Sequence, residues 1–374
     1  MSWDCERSRY CEYDHAVEPD GVQLVTNRIV SRWRLLTGGS SVRDPDRPTL
    51  VALSGGPDSS ALLIALSAVK PARIVAAHIR HGLRPNHLQT QDSGTARALA
   101  DHLGIEYHES DIEVPSSKNA EAGARRQRYD RLAAIAQDTG CHFAATGHHA
   151  QDQLETLLMA LIRGTGLAGL AGIAESRKLT DTTTLIRPAL TSTRQELEAV
   201  CESIGWTPAH DETNDDLARQ RAWMRARILP ELLERADDGL PERLLSASLL
   251  VRQAQRVVEN HAAKIASHAT ESSNALCVSL HLIAHEEPII IGEVIRQLAT
   301  TLVGDSGADA RGHKHLQPII EVVRTGSMHA KTFDLRGIQI KVTNTQLTIR
   351  VHSPDMKAVT SRTSRSTSDG SPEL

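Results

Sequence analysis

Aromatic residues are scarce in this chain of 374, which has two Phe, four Trp and four Tyr. Its core must therefore be built from Leu, Ile, Val and Ala, and the 40% hydrophobic content is enough for one. Cysteine is sparse too. Cys5, Cys11, Cys141, Cys201 and Cys277 are scattered, odd in number and never spaced C-x-x-C, which argues against a disulfide framework and for a reducing compartment. Long apolar runs are missing: the longest apolar-rich stretch, Ala61 to Val69, is far too short to cross a bilayer. The first residues carry Asp4, Glu6, Glu12 and Asp14 without an apolar segment and do not read as a signal peptide. These absences predict a cytoplasmic protein with no membrane attachment. Positive charge is not in excess either. The net charge is -4, so a nucleic-acid partner would need a local basic patch.

At about 150 residues per domain, the length predicts two domains. Residues 1–47 form an N-terminal extension: a polar start, then an amphipathic helix with Val22, Val25, Ile29, Trp33 and Leu36 on one face. Arg43 to Pro48 reads as a charged linker. From 48 to 215, strand-like and helical patterns alternate. Strands are predicted at Thr49–Leu53, Arg73–Ile79, Ile105–Glu113, Cys141–Thr146 and Thr184–Arg187. Helices fall at Ser59–Val69, Thr90–Leu103, Ala120–Gln137, Asp152–Arg163 and Arg194–Ile204. That alternation predicts an α/β fold, a doubly wound parallel sheet covered on both faces. Residues 216–353 read as a mainly helical second domain, with helices over Pro230–His268, Pro288–Leu302 and Leu316–Val323. It ends in a small β-meander over Thr332–Leu335, Ile338–Val342 and Leu347–Val351. Residues 354–374 are Ser/Thr-rich and poor in apolar residues, which predicts disorder.

The strongest chemical signal is Ser54-Gly55-Gly56-Pro57-Asp58-Ser59-Ser60, between the first predicted strand and its helix. Two glycines allow a sharp turn and a close backbone approach to an anion. The following helix directs its first amides and its positive dipole end to the same place. Ser54, Ser59 and Ser60 add hydroxyl donors. Asp58 would repel a phosphate unless a cation lies between them, which suits Mg²⁺ bridging Asp58 and phosphate oxygens. No Walker A sequence is present. A loop of this kind, without a Walker lysine, suits release of pyrophosphate as a unit. Read alone, it could also be an ordinary Gly-Pro turn before a helix.

Further motifs follow in order. They are His78-Ile79-Arg80-His81-Gly82-Leu83-Arg84, then Asn119 to Tyr129 (NAEAGARRQRY), then Thr146-Gly147-His148-His149-Ala150-Gln151-Asp152-Gln153-Leu154-Glu155-Thr156. Arg163-Gly164-Thr165-Gly166, Arg187-Pro188 and Asp211-Glu212-Thr213-Asn214-Asp215 complete the set. The loop resembles that of the PP-loop ATP pyrophosphatases, and the whole set, across residues 49–230, resembles the tRNA(Ile)-lysidine synthases among them. That resemblance implies a two-step ligation. The 2-carbonyl oxygen of the wobble cytidine of a CAU-anticodon tRNA(Ile) attacks the α-phosphate of ATP, and pyrophosphate leaves. The ε-amine of free L-lysine then displaces AMP. It also implies ATP as substrate, bound with Mg²⁺ at Ser54–Ser60 and beside His78 and His81.

The residue types suit this chemistry. A lysine ammonium has to be held and then deprotonated, because its solution pKa is near 10.4. Asp152 and Glu155 are three apart on a predicted helix, so they share a face and could bind a cationic lysine; acids at a helix start are also common as caps, but inside this matched motif the functional reading is favoured. His148 could relay a proton, and His149 is its alternative. Arg125 could pair with a phosphate or with Glu121. Two departures from the family pattern stand out: Gln151 replaces the first of two Asp, and Ala222 replaces an Asn between Arg221 and Arg225.

Gly164 to Gly169 formally matches G-x-G-x-x-G, but it follows a helix, so a dinucleotide site is rejected. The 18 histidines show no zinc-ligand spacing. Arg219 to Arg256 holds eight arginines and five acids, a local positive excess suited to RNA phosphates or simply to a solvated helical face. Competing readings are another PP-loop enzyme that modifies tRNA or amidates a small acceptor, and a nucleotide-binding regulator without catalysis. The missing C-x-x-C argues against sulfur insertion. Oligomeric state stays open, with a homodimer among the options.

Overall fold

The computed structural model describes residues 19–80, 86–112, 120–209, 220–272, 274–304, 312–326 and 329–351. The described chain divides into two units, one comprising residues up to 162 with 171–249, the other 163–170 with 250 onward. Among the described residues, no helix is long and apolar enough to cross a membrane.

The first unit opens with α1 (Pro19–Thr37). β1 (Thr49–Ala52) and α2 (Pro57–Ser67) follow, then β2 (Ile74–Arg80) and α3 (Asn86–Leu103), β3 (Glu106–Asp111) and α4 (Ala120–Asp138), and β4 (Phe143–Ala145) and α5 (Ala150–Arg163). A short α6 (Leu167–Leu170), assigned to the second unit, precedes β5 (Ser176–Lys178), β6 (Thr184–Ile186) and α7 (Arg194–Glu202). Beyond them come α8 (Gln220–Arg227), α9 (Leu229–Glu234) and α10 (Leu240–Ala266), inside which the unit boundary falls.

The strands order as β3-β2-β1-β4-β6-β5, with β1, β2, β3, β4 and β6 parallel and β5 antiparallel to β6. This is the predicted doubly wound sheet with one added edge. Its central strands are buried on both faces and accordingly read as apolar runs. On one face, Trp33, Leu62, Leu66, Leu99 and Leu197 pack from α1, α2, α3 and α7. On the other, Tyr129, Leu132 and Ala136 of α4 pack against Leu50, Val75 and Leu185. The chain runs outward from β1 to β3, then returns to the opposite side of β1 with β4. The crevice at the carboxyl ends of β1 and β4 is therefore the topological switch point, where ligands of such sheets bind.

The expected linker at Arg43–Pro48 is instead structured. Ser41–Asp46 form a 3₁₀ turn, and Asp44 and Arg47, each 2% exposed, pair with one another while Arg34 also bonds Asp44. The charges are satisfied internally, so charge composition misleads there. Helix Pro230–His268 is likewise two elements, α9 and α10.

The second unit holds β7 (Thr270–Ser272), β8 (Ala275–Ser279), α11 (Pro288–Val303), α12 (His313–Thr325), β9 (Lys331–Leu335), β10 (Ile338–Val342) and β11 (Gln346–Val351). The expected meander is present, and β8 and β7 extend it to an antiparallel sheet ordered β7-β8-β11-β10-β9. Alternation buries Leu276, Val278, Ile338, Ile340, Val342, Leu347 and Ile349 against Ile291, Ile295, Ile319 and Ile320 of the helices.

Candidate active site

β1 delivers the chain to Ser54, and Pro57 starts α2 at a position where its missing N–H costs nothing. Gly55 has φ +91, and a Cβ there would lie 2.8 Å from the Asp92 carbonyl oxygen, so only glycine fits on both counts. Gly56 is the N-cap of α2 and offers no side chain to its first turn, leaving first-turn amides available to an anion. Ser59 braces the loop: its hydroxyl accepts from the Ser54 N–H at 3.0 Å and lies 3.0 Å from the Ser54 hydroxyl. Ser54, Gly56, Pro57, Asp58 and Ser59 line a cleft of about 2440 Å³, whereas Gly55 and Ser60 sit behind its wall. Ser60 is fully buried, so the structure gives it no direct route to a ligand in the cleft.

β4 brings Thr146 to Asp152 to the same crevice. The approach is close because Gly147 has no side chain: a Cβ there would meet the backbone carbon and oxygen of Asp58 and the nitrogen of Ser59, all at 2.8 Å. His149 is buried. The Gln151 N–H donates to its Nδ1 at 3.2 Å. Its Nε2 lies 3.6 Å from Asp58 Oδ2 and 3.6 Å from Asp152 Oδ2. His148, also on the cleft wall, bonds the Thr146 hydroxyl through Nδ1 at 2.9 Å. The two histidines thus divide the alternatives: His149 sits between the two aspartates, and His148 faces a set of arginines.

Burial raises the Asp58 carboxyl above its ordinary value, the nearby Asp152 charge adds to this, and His149 and Arg194 oppose it. Among the described residues, buried Asp58 Oδ1 has no hydrogen-bond partner, an orphaned acceptor of the kind a cation satisfies. Asp152 behaves oppositely. Burial would raise it, but His149, His148 and Arg225 outweigh that and hold it low. Burial pushes His148 down to about 3, and the charges of Arg187, Arg125 and Arg128 add to the effect against Asp152.

The expected pair of free carboxylates on α5 is not free. Arg225 of α8 donates through Nη2 to Asp152 Oδ1 at 3.0 Å and through Nε to Glu155 Oε2 at 2.8 Å. Arg221 reaches Glu155 Oε1 at 3.2 Å. Glu155 is 3% exposed and lies behind the cleft wall, while Asp152 forms part of it. The spacing did place both acids on one face, but α8 covers that face. Two arginines of the Arg219–Arg256 stretch are therefore engaged with α5 acids, which reduces the excess available for RNA.

His78 is buried in the cleft wall, and its Nδ1–H donates to the Leu53 carbonyl at 2.8 Å. Burial lowers its pKa, so it stands neutral. His81 and the Asp211–Asp215 motif lie outside the described residues, as does the Glu121 side chain. Arg125 is exposed on α4, its guanidinium 5.7 Å from the Tyr129 ring centre, and it does not line the cleft; Arg128 and Tyr129 do. Tyr129 and His149 are the site residues the sequence reading passed over or ranked second, although both lie inside its quoted motifs.

Residues 31–232 match the family model of the PP-loop domain. Among curated proteins, the chain is similar to a tRNA(Ile)-lysidine synthase from Symbiobacterium thermophilum, 37% identical over 237 residues, 62% of this chain and 49% of that one. One from Deinococcus deserti is 34% identical over 64% of this chain and 44% of that one. The chain thus spans about half the length of these relatives. A tRNA(Ile)-lysidine synthase from Salinispora arenicola matches more completely, 33% identical over 75% of this chain and 83% of that one. Among solved structures, a U34-tRNA thiolase from Methanococcus maripaludis shares the fold, with TM-score 0.50, 17% identity, and coverage of 64% of this chain and 84% of that one.

Proposed function

The chain belongs to the tRNA(Ile)-lysidine synthase family of PP-loop proteins, and from that premise we propose that it is an ATP-dependent ligase joining free L-lysine to C2 of the wobble cytidine of a CAU-anticodon tRNA(Ile). The observation that carries this reading is the packing of Gly147 directly on Asp58 and Ser59, which sets a phosphate loop and a His-Asp segment across one crevice.

In the first step, the loop amides at the start of α2 and the Ser54 hydroxyl hold the β- and γ-phosphates, while Ser59 keeps the loop in shape. The cytidine 2-oxygen attacks the α-phosphate, and pyrophosphate departs toward those donors. Asp58, with its unpartnered Oδ1, would hold Mg²⁺, which supplies charge neutralisation at the triphosphate. Among the described residues, no three His, Cys, Asp or Glu side chains form a metal-binding group, so the remaining ligands of such an ion would be phosphate and water oxygens. In the second step, the lysine amine attacks C2, AMP leaves, and the amine proton is lost to a base. Asp152, on the cleft wall and ionised, receives the ammonium and takes its proton as the C–N bond forms, and His149, with Nε2 between the two aspartates, holds that carboxylate in place. Glu155 acts one step removed, by anchoring the Arg225 that orients Asp152. The neutral His148 donates a hydrogen bond toward the reacting phosphate without adding charge. The cleft of about 2440 Å³ exceeds the 300–1,000 Å³ typical of a small-molecule site, which suits ATP, lysine and an inserted nucleotide together.

The test is the stoichiometry of the first half-reaction. With ATP and unmodified CAU-anticodon tRNA but no lysine, pyrophosphate is expected, with AMP retained on the tRNA. Pyrophosphate released equally without tRNA, or none released at all, refutes the proposal.

A further inference from the structure

Four arginines converge on one tyrosine beside the cleft. The guanidinium of Arg177, on edge strand β5, lies 4.7 Å from the Tyr129 ring centre, and that of Arg125 lies 5.7 Å from it. Arg187, just after β6, is 3% exposed; it donates to the Ala174 carbonyl through Nη1, but its buried Nε has no partner among the described residues. Arg128 is next to Tyr129 in the chain and lines the cleft with it. Among the described residues, no carboxylate forms an ion pair with Arg125, Arg128, Arg177 or Arg187. The titration of the group reflects this. Burial lowers Arg187 from the usual guanidinium range, and like charge from Arg177 and Arg125 adds to it. Burial would raise the Tyr129 phenol, yet Arg125 and Arg187 outweigh it and hold the hydroxyl below its ordinary value.

Buried or stacked cations that repel one another and leave a donor unsatisfied cost stability unless an anion completes them. Cation–π contact with Tyr129 fixes the guanidinium groups while leaving their N–H edges for an external acceptor, and the Arg fork matches phosphate geometry. Arg177 is rooted on edge strand β5, three strands and about 14 Å from β1 at the spacing of a sheet, and reaches back to Tyr129 on the cleft wall, so the cluster borders the phosphate loop's cleft on the side away from β1.

We propose that Arg125, Arg177 and Arg187, gathered on Tyr129, form a phosphodiester-binding site that seats the RNA backbone flanking the target nucleotide. Arg125 and Arg177 make the contacts from the exposed side, and Arg187 adds charge from beneath. The proposal rests on the reading of this cleft as a tRNA-modifying site.

The test uses Arg177→Ala, an exposed position whose truncation leaves the core intact. Binding of unmodified CAU-anticodon tRNA to the full chain is measured over a salt series, beside the KM for ATP. Loss of one charge-assisted phosphate contact weakens tRNA binding roughly tenfold and makes the slope of log K against log salt shallower by about 1. The KM for ATP is unchanged, and Arg177→Lys restores the slope. Unchanged tRNA affinity and slope overturn the proposal. So does a raised KM for ATP with tRNA binding intact, which would assign the cluster to the triphosphate. If the wild-type chain binds the tRNA, is weakened by Arg177→Ala and yet releases no pyrophosphate, the phosphate site stands and the ligase reading falls.

Discussion

Gly147→Ala isolates the contact that joins the two halves of the site. The added Cβ would lie 2.8 Å from three backbone atoms of Asp58 and Ser59, about 0.6 Å inside the 3.4 Å at which ordinary contact begins. None of those atoms can rotate away, so one segment must move. Overpacking of this kind costs about 1–3 kcal/mol. The larger effect is on geometry, since a displacement approaching 1 Å between reacting groups lowers rate by up to about 10²-fold. The expected result is a fall in kcat for tRNA-dependent pyrophosphate release of roughly 30- to 100-fold, with a drop in Tm of a few degrees. Gly94→Ala is the control. It is an exposed position on α3 with nothing within 4 Å of the new Cβ, so activity should persist and Tm should rise slightly. Wild-type turnover and Tm in Gly147→Ala would show that the phosphate loop and the His-Asp segment are not in contact, and the assignment of the crevice would fail.

Asp58→Ala should abolish tRNA-dependent pyrophosphate release while the circular dichroism spectrum and melting stay near wild type; normal turnover would end the proposed Mg²⁺ role. Arg225→Ala leaves Glu155, which is 3% exposed, with Arg221 as its remaining ion-pair partner among the described residues, and should destabilise the chain by roughly 1–3 kcal/mol. Adding Glu155→Gln should return part of that loss, and a strictly additive double-mutant cycle would contradict the pairing. His148 is held neutral down to about 3, whereas the unfolded chain takes up this proton near 6.5. Between those values the unfolded state binds more protons, so stability falls as pH drops from 6.5, by up to about 1.4 kcal/mol per pH unit. Urea midpoints at several pH values should show this slope in wild type and a flatter one in His148→Asn; identical slopes would place His148 in solvent.

The strand-loop-helix around Ser54 was legible because each level agrees: an apolar run, two glycines, a Pro at N1 and an apolar helix. The parallel sheet was legible for the same reason, since buried strands read as continuous apolar runs. β5 was not. Ser176, Arg177 and Lys178 are exposed throughout and show no alternation, so only pairing with β6 marks them as a strand. The polar β7 was hidden for the same reason. Asp152 and Glu155 illustrate a different limit. Local spacing predicted their shared face, but what covers it is Arg221 and Arg225, about 70 residues away, and no local pattern reports such a contact. The linker reading at Arg43–Pro48 failed because composition cannot distinguish charges that face water from charges that neutralise each other inside. That both His148 and His149 line the cleft, and that His149 meets the carboxylates, follows from the close approach of Gly147 to Asp58, which the motif alone does not report.

The most direct measurement is transfer of lysine itself. Incubating the full chain with ATP, Mg²⁺, labelled L-lysine and unmodified CAU-anticodon tRNA should place one lysine per tRNA, with one AMP and one pyrophosphate released for each. Pyrophosphate release without label entering the tRNA, or label entering without ATP cleavage between the α- and β-phosphates, would contradict the ligase reading.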